Sequence, residues 1–465
     1  MSTLSPKLSQ SAAHRPHLHK KMAPTAILFV SANIANVANL VFNMIFARLL
    51  GPEAFADLTF LLTLKLGVLC IFSAFQFAFA KHTAKLWFSK NRATHRPELE
   101  TYASHIVRRS FWVALPVMFL ALVFVESFAR AFQFDDPMSL FVLITIIPVI
   151  FPMIVYRGLS QGRIDLPRMV GSIQGEWAIR LFGGVLLYMM GLGLVGVALA
   201  VVCSILSGCL LSMTKRDADN LRFGKKQISS NSPKLLIATT PFLALQFAQV
   251  LILDGDIMLA KANMGAEFSG YVAGLMLIQR IFFFAFLSFS ALLIPVIAAK
   301  TAKENNQKNS DNIRRGRSDL ILMITGVAGI SFPALMFLAL FPSWGAPLLL
   351  GNDFAPIARL GVIAGATGAF FTLTHLCVVY WLANGKTKIA WVLLFCAALQ
   401  MIFLGQFSAN DPELHIFTFV MLKLSLQAFI CTAFLLYTFI RITNWTALKN
   451  TGRPQRQLKD VGTNK

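Results

Sequence analysis

Apolar residues along this chain are gathered into twelve blocks, each near the roughly 20 residues an α-helix needs to cross hydrocarbon. They cover approximately 23–47, 58–80, 110–131, 138–156, 169–190, 193–213, 234–253, 268–298, 319–342, 356–382, 388–407 and 415–440. Little more than Gly191-Leu192-Gly193 separates the fifth block from the sixth. The pattern predicts an all-α membrane protein of about twelve transmembrane helices. Six prolines (116, 148, 152, 241, 295 and 333) fall inside the blocks, where each removes a backbone hydrogen bond and permits a kink. Gly361, Gly365 and Gly368 allow close helix approach.

Composition agrees with lipid as the main solvent. Of 465 residues 56% are apolar and only 14% charged, with mean hydropathy +0.65, too little charge to cover a soluble surface. The apolar run from Met22 to Ala47 behind Arg15, Lys20 and Lys21 resembles a signal peptide but is too long for one, so it reads as a retained first helix. The six cysteines lie in apolar runs without metal-ligand spacing and read as small buried apolar residues.

Lys and Arg number 42 against 21 acids, a net charge of +21. Their placement alternates. The amino-terminal tail, the connections 81–109, 157–168, 214–234, 299–318 and 384–388, and the tail from Arg441 hold 34 of the 42. The other connections hold only Arg48, Arg130, Lys261 and Arg359. Basic connections stay in the cytoplasm, so an even helix count with both termini cytoplasmic is predicted. The excess is then explained by topology and attraction to anionic lipids, at about 1 kcal/mol per basic residue near the surface, and nucleic acid is not an expected partner.

Residues 48–57 (RLLGPEAFAD) align with 262–271 (ANMGAEFSGY), matching Gly51 to Gly265 and Glu53 to Glu267. Each segment follows the first helix of a six-helix block, which implies a parallel pseudo-repeat. The expected organisation is a cytoplasmic tail (1–22), an N-lobe (23–213), a cytoplasmic linker (214–233), a C-lobe (234–440) and a basic tail (441–465).

Five ionisable residues sit well inside predicted helices: Lys65, Glu176, Arg180, Arg280 and Lys423. Exposing all of them to lipid would cost about 12–18 kcal/mol, so they face protein or water. Glu176 and Arg180, at i, i+4, are spaced to pair on one helix face. Lys65, Arg280 and Lys423 have no acid within a helical turn and require an interhelical partner or a wet cavity. Four bases against one acid make a lumen that attracts anions. Asn33, Asn36, Asn39 and Asn43 form one stripe on the first helix, either lining a polar passage or hydrogen-bonding between helices. Gln246 and Gln249 repeat the theme in the seventh. His375 is either a packed residue or a proton relay. Asp254 and Asp256 either coordinate a coupling cation or mark a helix end in water.

Gly385-Lys386-Thr387 is not a nucleotide-binding loop, because Tyr380 stands where the first glycine belongs and a transmembrane run precedes it. No cofactor is expected. The outer connections leave little room for the carboxylate-bearing domain of a membrane transferase or polymerase, so an enzyme is not expected either.

The segments Asn43–Phe55 (NMIFARLLGPEAF) and Asp254–Tyr271 (DGDIMLAKANMGAEFSGY) resemble the polysaccharide exporter and flippase branch of the multidrug/oligosaccharidyl-lipid/polysaccharide exporter superfamily. Ala56-Asp57 departs from the glycine that the family usually places after the phenylalanine. The resemblance implies two six-helix lobes in a V, opening alternately to either side of a bacterial inner membrane. It also implies an undecaprenyl pyrophosphate-linked oligosaccharide as cargo, for surface polysaccharide or lipopolysaccharide assembly, with other assembly proteins as partners. On that reading Lys65, Arg180, Arg280 and Lys423 attract the pyrophosphate, Asn36, Asn39 and Asn43 meet sugar hydroxyls, and Glu176 or Asp256 serves ion coupling. The rival reading is a drug or metabolite exporter of the same superfamily, which would more naturally carry an acidic cavity. A major-facilitator sugar transporter is disfavoured because Lys81–Arg109 lacks its Gly-Asp-Arg signature.

Overall fold

A computed structural model describes residues 16–88, 92–223, 240–304, 311–406 and 412–450. Among them there is no β-strand. The helices used below are α1 (Pro16–Trp87), α2 (Arg92–Val123), α3 (Pro137–Ile144), α4 (Ile147–Arg163), α5 (Leu166–Ala178), α6 (Gly193–Ser212), α7 (Lys215–Phe223), α8 (Thr240–Asp254), α9 (Asp256–Asn263), α10 (Ala266–Glu304), α11 (Asp311–Leu340), α12 (Gly361–Ala383), α13 (Lys388–Gly405) and α14 (Pro412–Asn450).

Among the described residues seven stretches are long and apolar enough to cross a membrane, and ten if three sharply bent pairs each count as one. Two of the ten are too long for a single crossing. Asn33–Trp87 has 55 residues and Leu166–Ser212 has 47, or about 80 and 70 Å of helix against some 30 Å of hydrocarbon. Each is broken where the sequence predicts a connection. In α1 the break is Gly51, at φ 71° and ψ 177°. Between α5 and α6 it is Gly191 and Gly193, at φ 85° and 54°. Dividing these two yields the predicted twelve-helix layout. Around the described helices large apolar side chains such as Trp112, Phe182, Phe395 and Phe429 are exposed, as a lipid solvent requires.

The backbone at Gly51 lies in a region open essentially to glycine alone. A Cβ added there would meet nothing within 4 Å, so the requirement is conformational and not steric. Gly51→Ala is expected to lower stability by about 1–3 kcal/mol, read by thermal unfolding of the purified protein. Its pseudo-repeat partner Gly265 has no left-handed φ, so the two matched glycines do not serve the same backbone need. The prolines also divide: Pro148 occupies the first turn of α4, where no intrahelical bond is lost, whereas Pro152 and Pro333 are interior. The 43° bend between α3 and α4 precedes Pro148.

The chain divides into two compact units, Met1–Gly274 and Leu275–Lys465. In the first, α1 packs along α4, α5 and also α8, the seventh predicted stretch. The predicted linker 214–233 begins with α7, and residues 224–239 lie outside the described residues, as do 1–15 and 451–465 of the predicted tails. In the second unit α12 packs against α11 and α14. A Cβ at Gly365 would come within 2.7 Å of Phe282, and one at Gly368 within 2.5 Å of the Gln279 carbonyl oxygen. These glycines therefore let α12 lie directly on α10. All six cysteines are free, but Cys203 is exposed and Cys396 half-buried. The expectation of six buried thiols is corrected for those two, because their helix faces turn outward.

Candidate functional site

The first unit gathers four charged side chains from three parts of the chain. Lys65, on the second arm of α1, is 3% exposed, and its Nζ lies 3.7 Å from Glu176 Oε1. Arg157, on α4, places Nη2 at 2.8 Å from Glu176 Oε2. Ser172 of α5 accepts from Arg157 Nε at 2.8 Å, and its carbonyl accepts from Nη2 at 3.1 Å. The Ser172 hydroxyl in turn donates to the Gly208 carbonyl of α6 at 2.6 Å. Gly208 matters sterically, because an added Cβ would press to 2.9 Å from Arg157 Nη2. Arg180, also buried, sets its guanidinium 5.5 Å over the Phe42 ring.

Two expectations change here. Glu176 forms its ion pairs with Lys65 and Arg157 and not with Arg180. The helix widens into a π-turn at Ile179–Gly183, and Arg180 lies over the Phe42 ring of α1. Arg157, counted in the basic connection 157–168, belongs to this cluster, since α4 continues to Arg163. Its signal was faint: it directly follows the apolar run. Three guanidinium or ammonium groups thus surround one carboxylate inside apolar helices.

Arg163 is likewise internal. It reaches Glu100 at 3.3 Å and Asp217 at 3.1 Å, with all three side chains at most 7% exposed. In this second network one guanidinium is shared by two buried acids. The attribution of all surplus cations to headgroup attraction is therefore corrected for Arg157 and Arg163.

Of the asparagine stripe, Asn33, Asn36 and Asn39 are half-buried, while Asn43 is buried and donates to the Asn39 carbonyl at 2.7 Å. Beside them Gln174 donates to the Ser31 carbonyl and hydroxyl at 2.9 and 2.7 Å, joining α5 to α1. Gln246 and Gln249 are half-buried on α8. Asp254 and Asp256 flank a 44° bend and are both buried, so the reading of a helix end in water is corrected.

Lys261, one residue short of the repeated segment, is fully buried. It pairs with Asp57, donates to the Gln133 carbonyl at 2.9 Å and lies 4.7 Å from the centre of the Phe134 ring. Asp57 directly follows Ala56, which stands where the motif noted above has glycine, and Lys261 gives that acid a buried partner.

In the second unit, Lys423 of α14 donates to Gln279 Oε1 of α10 at 2.7 Å. Arg280, next in sequence, is buried. His375 packs edge-on to Phe283 with ring centroids 5.2 Å apart and lies 6.0 Å from Phe371. Gln400 and Gln427 are fully buried in the same unit. Among the described residues no group of His, Cys, Asp or Glu is arranged to hold a metal.

No family model and no curated protein sequence matches the chain. Solved structures do. The inward-facing conformation of a multidrug resistance MATE family transporter of the MOP superfamily superposes with a TM-score of 0.69 at 16% identity, covering 90% of this chain and 96% of that one. An outward-facing conformation of such a transporter gives 0.58 at 16%, covering 92% and 95%. A MATE crystal structure in complex with MaL6 gives 0.57 at 16%, covering 92% and 97%. Over nine-tenths of its length, then, this chain has the all-helical membrane-protein fold of MATE transporters of the MOP superfamily.

Proposed function

We propose that the protein is a multi-pass inner-membrane exporter that moves an anionic, lipid-linked saccharide of the undecaprenyl pyrophosphate type outward by alternating access. The observation that carries this reading is the cluster of Lys65, Arg157 and Arg180 around the single acid Glu176. Cations in apolar surroundings are costly unless an anion joins them, and a fold associated with transport gives that anion a role as cargo. An ionised phosphate cannot cross dry hydrocarbon, whereas its lipid tail can remain in the bilayer. Arg binds phosphate as a fork and Lys as a point charge. Arg280 and Lys423 are the buried cations of the second unit available to such an anion, and in the first unit Asn36, Asn39, Asn43, Gln246 and Gln249 offer amides to the sugar. With both termini cytoplasmic, outward transfer of an anion gains about 2.3 kcal/mol per charge per 100 mV, so the membrane potential drives turnover. Anionic lipids and other polysaccharide-assembly proteins are its neighbours on this reading.

A drug or metabolite exporter is the second reading, favoured by the multidrug transporters among the similar folds. The surplus of buried cations argues against it, because a cavity for organic cations needs acids.

Lys65→Ala, Arg280→Ala and Lys423→Ala separate the two. Removing Lys65 still leaves Glu176 with Arg157 and lowers the surplus of like charge, so protein abundance is expected to hold. Surface glycan is expected to fall about tenfold or more per cation, the scale of one charge-assisted hydrogen bond. Normal glycan in all three at normal abundance overturns the proposal, and altered resistance to cationic dyes supports the second reading.

A further inference from the structure

We propose that Glu176 is an internal competitor for the cargo's phosphate: it holds Lys65 and Arg157 in the empty carrier and gives them up when the pyrophosphate binds. The idea rests on the function proposed above and adds how the same site releases what it binds.

The geometry is asymmetric. The carboxylate is bound tightly on one side, at 2.8 Å to Arg157 Nη2, and loosely on the other, at 3.7 Å to Lys65 Nζ. The second distance is an ion pair beyond hydrogen-bond length. Lys65 is therefore the cation an incoming phosphate oxygen takes first, with little lost from Glu176. Arg157 is held independently of Glu176 by Ser172, through its hydroxyl at 2.8 Å and its carbonyl at 3.1 Å. The guanidinium thus keeps its position while its carboxylate partner is exchanged, so the site is organised before cargo arrives. Arg180, one turn beyond Glu176 and braced on Phe42, contributes positive charge without an ion pair of its own among the described residues.

Release is the physical problem such a site must solve. Three buried cations alone would bind a pyrophosphate too tightly to let it leave, and an empty cluster would be repulsive. A carboxylate on the same helix as Arg180 answers both difficulties, since its return replaces the departing anion and restores the charge balance. Binding is then weaker and turnover faster than the cations alone would allow.

The test uses full-length protein in nanodiscs, with farnesyl pyrophosphate as the probe and farnesol as the control lacking phosphate. Wild type is expected to bind the pyrophosphate and not the alcohol. Glu176→Gln is expected to bind it about tenfold more tightly, to lose thermal stability without the probe and to regain it on probe addition. Equal or weaker binding by Glu176→Gln, with wild type binding normally, overturns the competitor role and leaves the proposed function standing. Absence of binding in every protein overturns both. If Glu176→Gln does not fold, Arg157→Gln/Glu176→Gln serves instead, because it leaves the cluster's net charge unchanged. That double variant is expected to bind several-fold more tightly than Arg157→Gln alone, which keeps the competing carboxylate. Equal affinities for those two variants overturn the proposal.

Discussion

Lys261→Ala lowers the stability of the folded protein by about 3–5 kcal/mol, the cost of leaving one member of a buried ion pair behind. Asp57 is 2% exposed and Lys261 1%, so water cannot replace the missing partner. Lys261 also satisfies the Gln133 carbonyl at 2.9 Å. Gln133 has a left-handed backbone, φ 50°, uncommon for a residue with a side chain, and this turn aims its carbonyl at the ammonium. The Phe134 ring adds a cation–π contact. Asp57→Asn should cost less than Lys261→Ala, since it leaves an ammonium that still has a carbonyl and a ring. Asp57→Leu/Lys261→Met, removing both charges, should recover most of the loss, because apolar replacements of a buried pair are often neutral or stabilising. Equilibrium unfolding in mixed micelles reads the series. A double variant no more stable than Lys261→Ala would show that the pair is not energetically coupled.

Arg163→Met is the second large loss, again about 3–5 kcal/mol, and it is expected to appear as low abundance in the membrane. The substitution keeps much of the apolar stem but leaves Glu100 and Asp217 buried without their shared cation. Asp217 retains hydrogen bonds from the Thr214 amide and hydroxyl at 2.9 and 2.7 Å. Adding Glu100→Gln, which removes one of the two buried negative charges, should restore part of the abundance. Arg163 also lies 5.3 Å from the centre of the Trp87 ring, so the same change loosens the end of α1. Arg163→Met and Lys65→Ala make a useful contrast. One removes the cation shared by two buried acids and strikes folding. The other removes one of several cations from a site poor in acid and strikes transport.

Asp57 shows how a local feature acquires its meaning from a distant residue. Read along the chain, Asp57 is an acid in the connection before the second apolar block, and Lys261 the lone base among Asp254, Asp256 and Glu267. Each was visible, and neither pointed to the other across 204 positions. Arg157 and Arg163 were misplaced for a related reason. Both follow an apolar run ending near 156, and a hydropathy boundary cannot tell a loop from a helix that continues into a polar neighbourhood. For Glu176 the sequence offered Arg180 on its own helix, and the structure pairs it instead with Lys65 and Arg157. That Arg180 lies over the Phe42 ring of α1 is an outcome of packing with no marker in the sequence.

The number of crossings, the glycine breaks between them and the surplus of intramembrane cations follow from the order of residues alone, because apolar length, φ preference and charge are properties of short stretches of chain. Which cation meets which acid depends on helices brought side by side. Lys65 with Glu176, Arg163 with Asp217 and Lys261 with Asp57 are contacts between residues 54 to 204 positions apart, and only packing in three dimensions selects them.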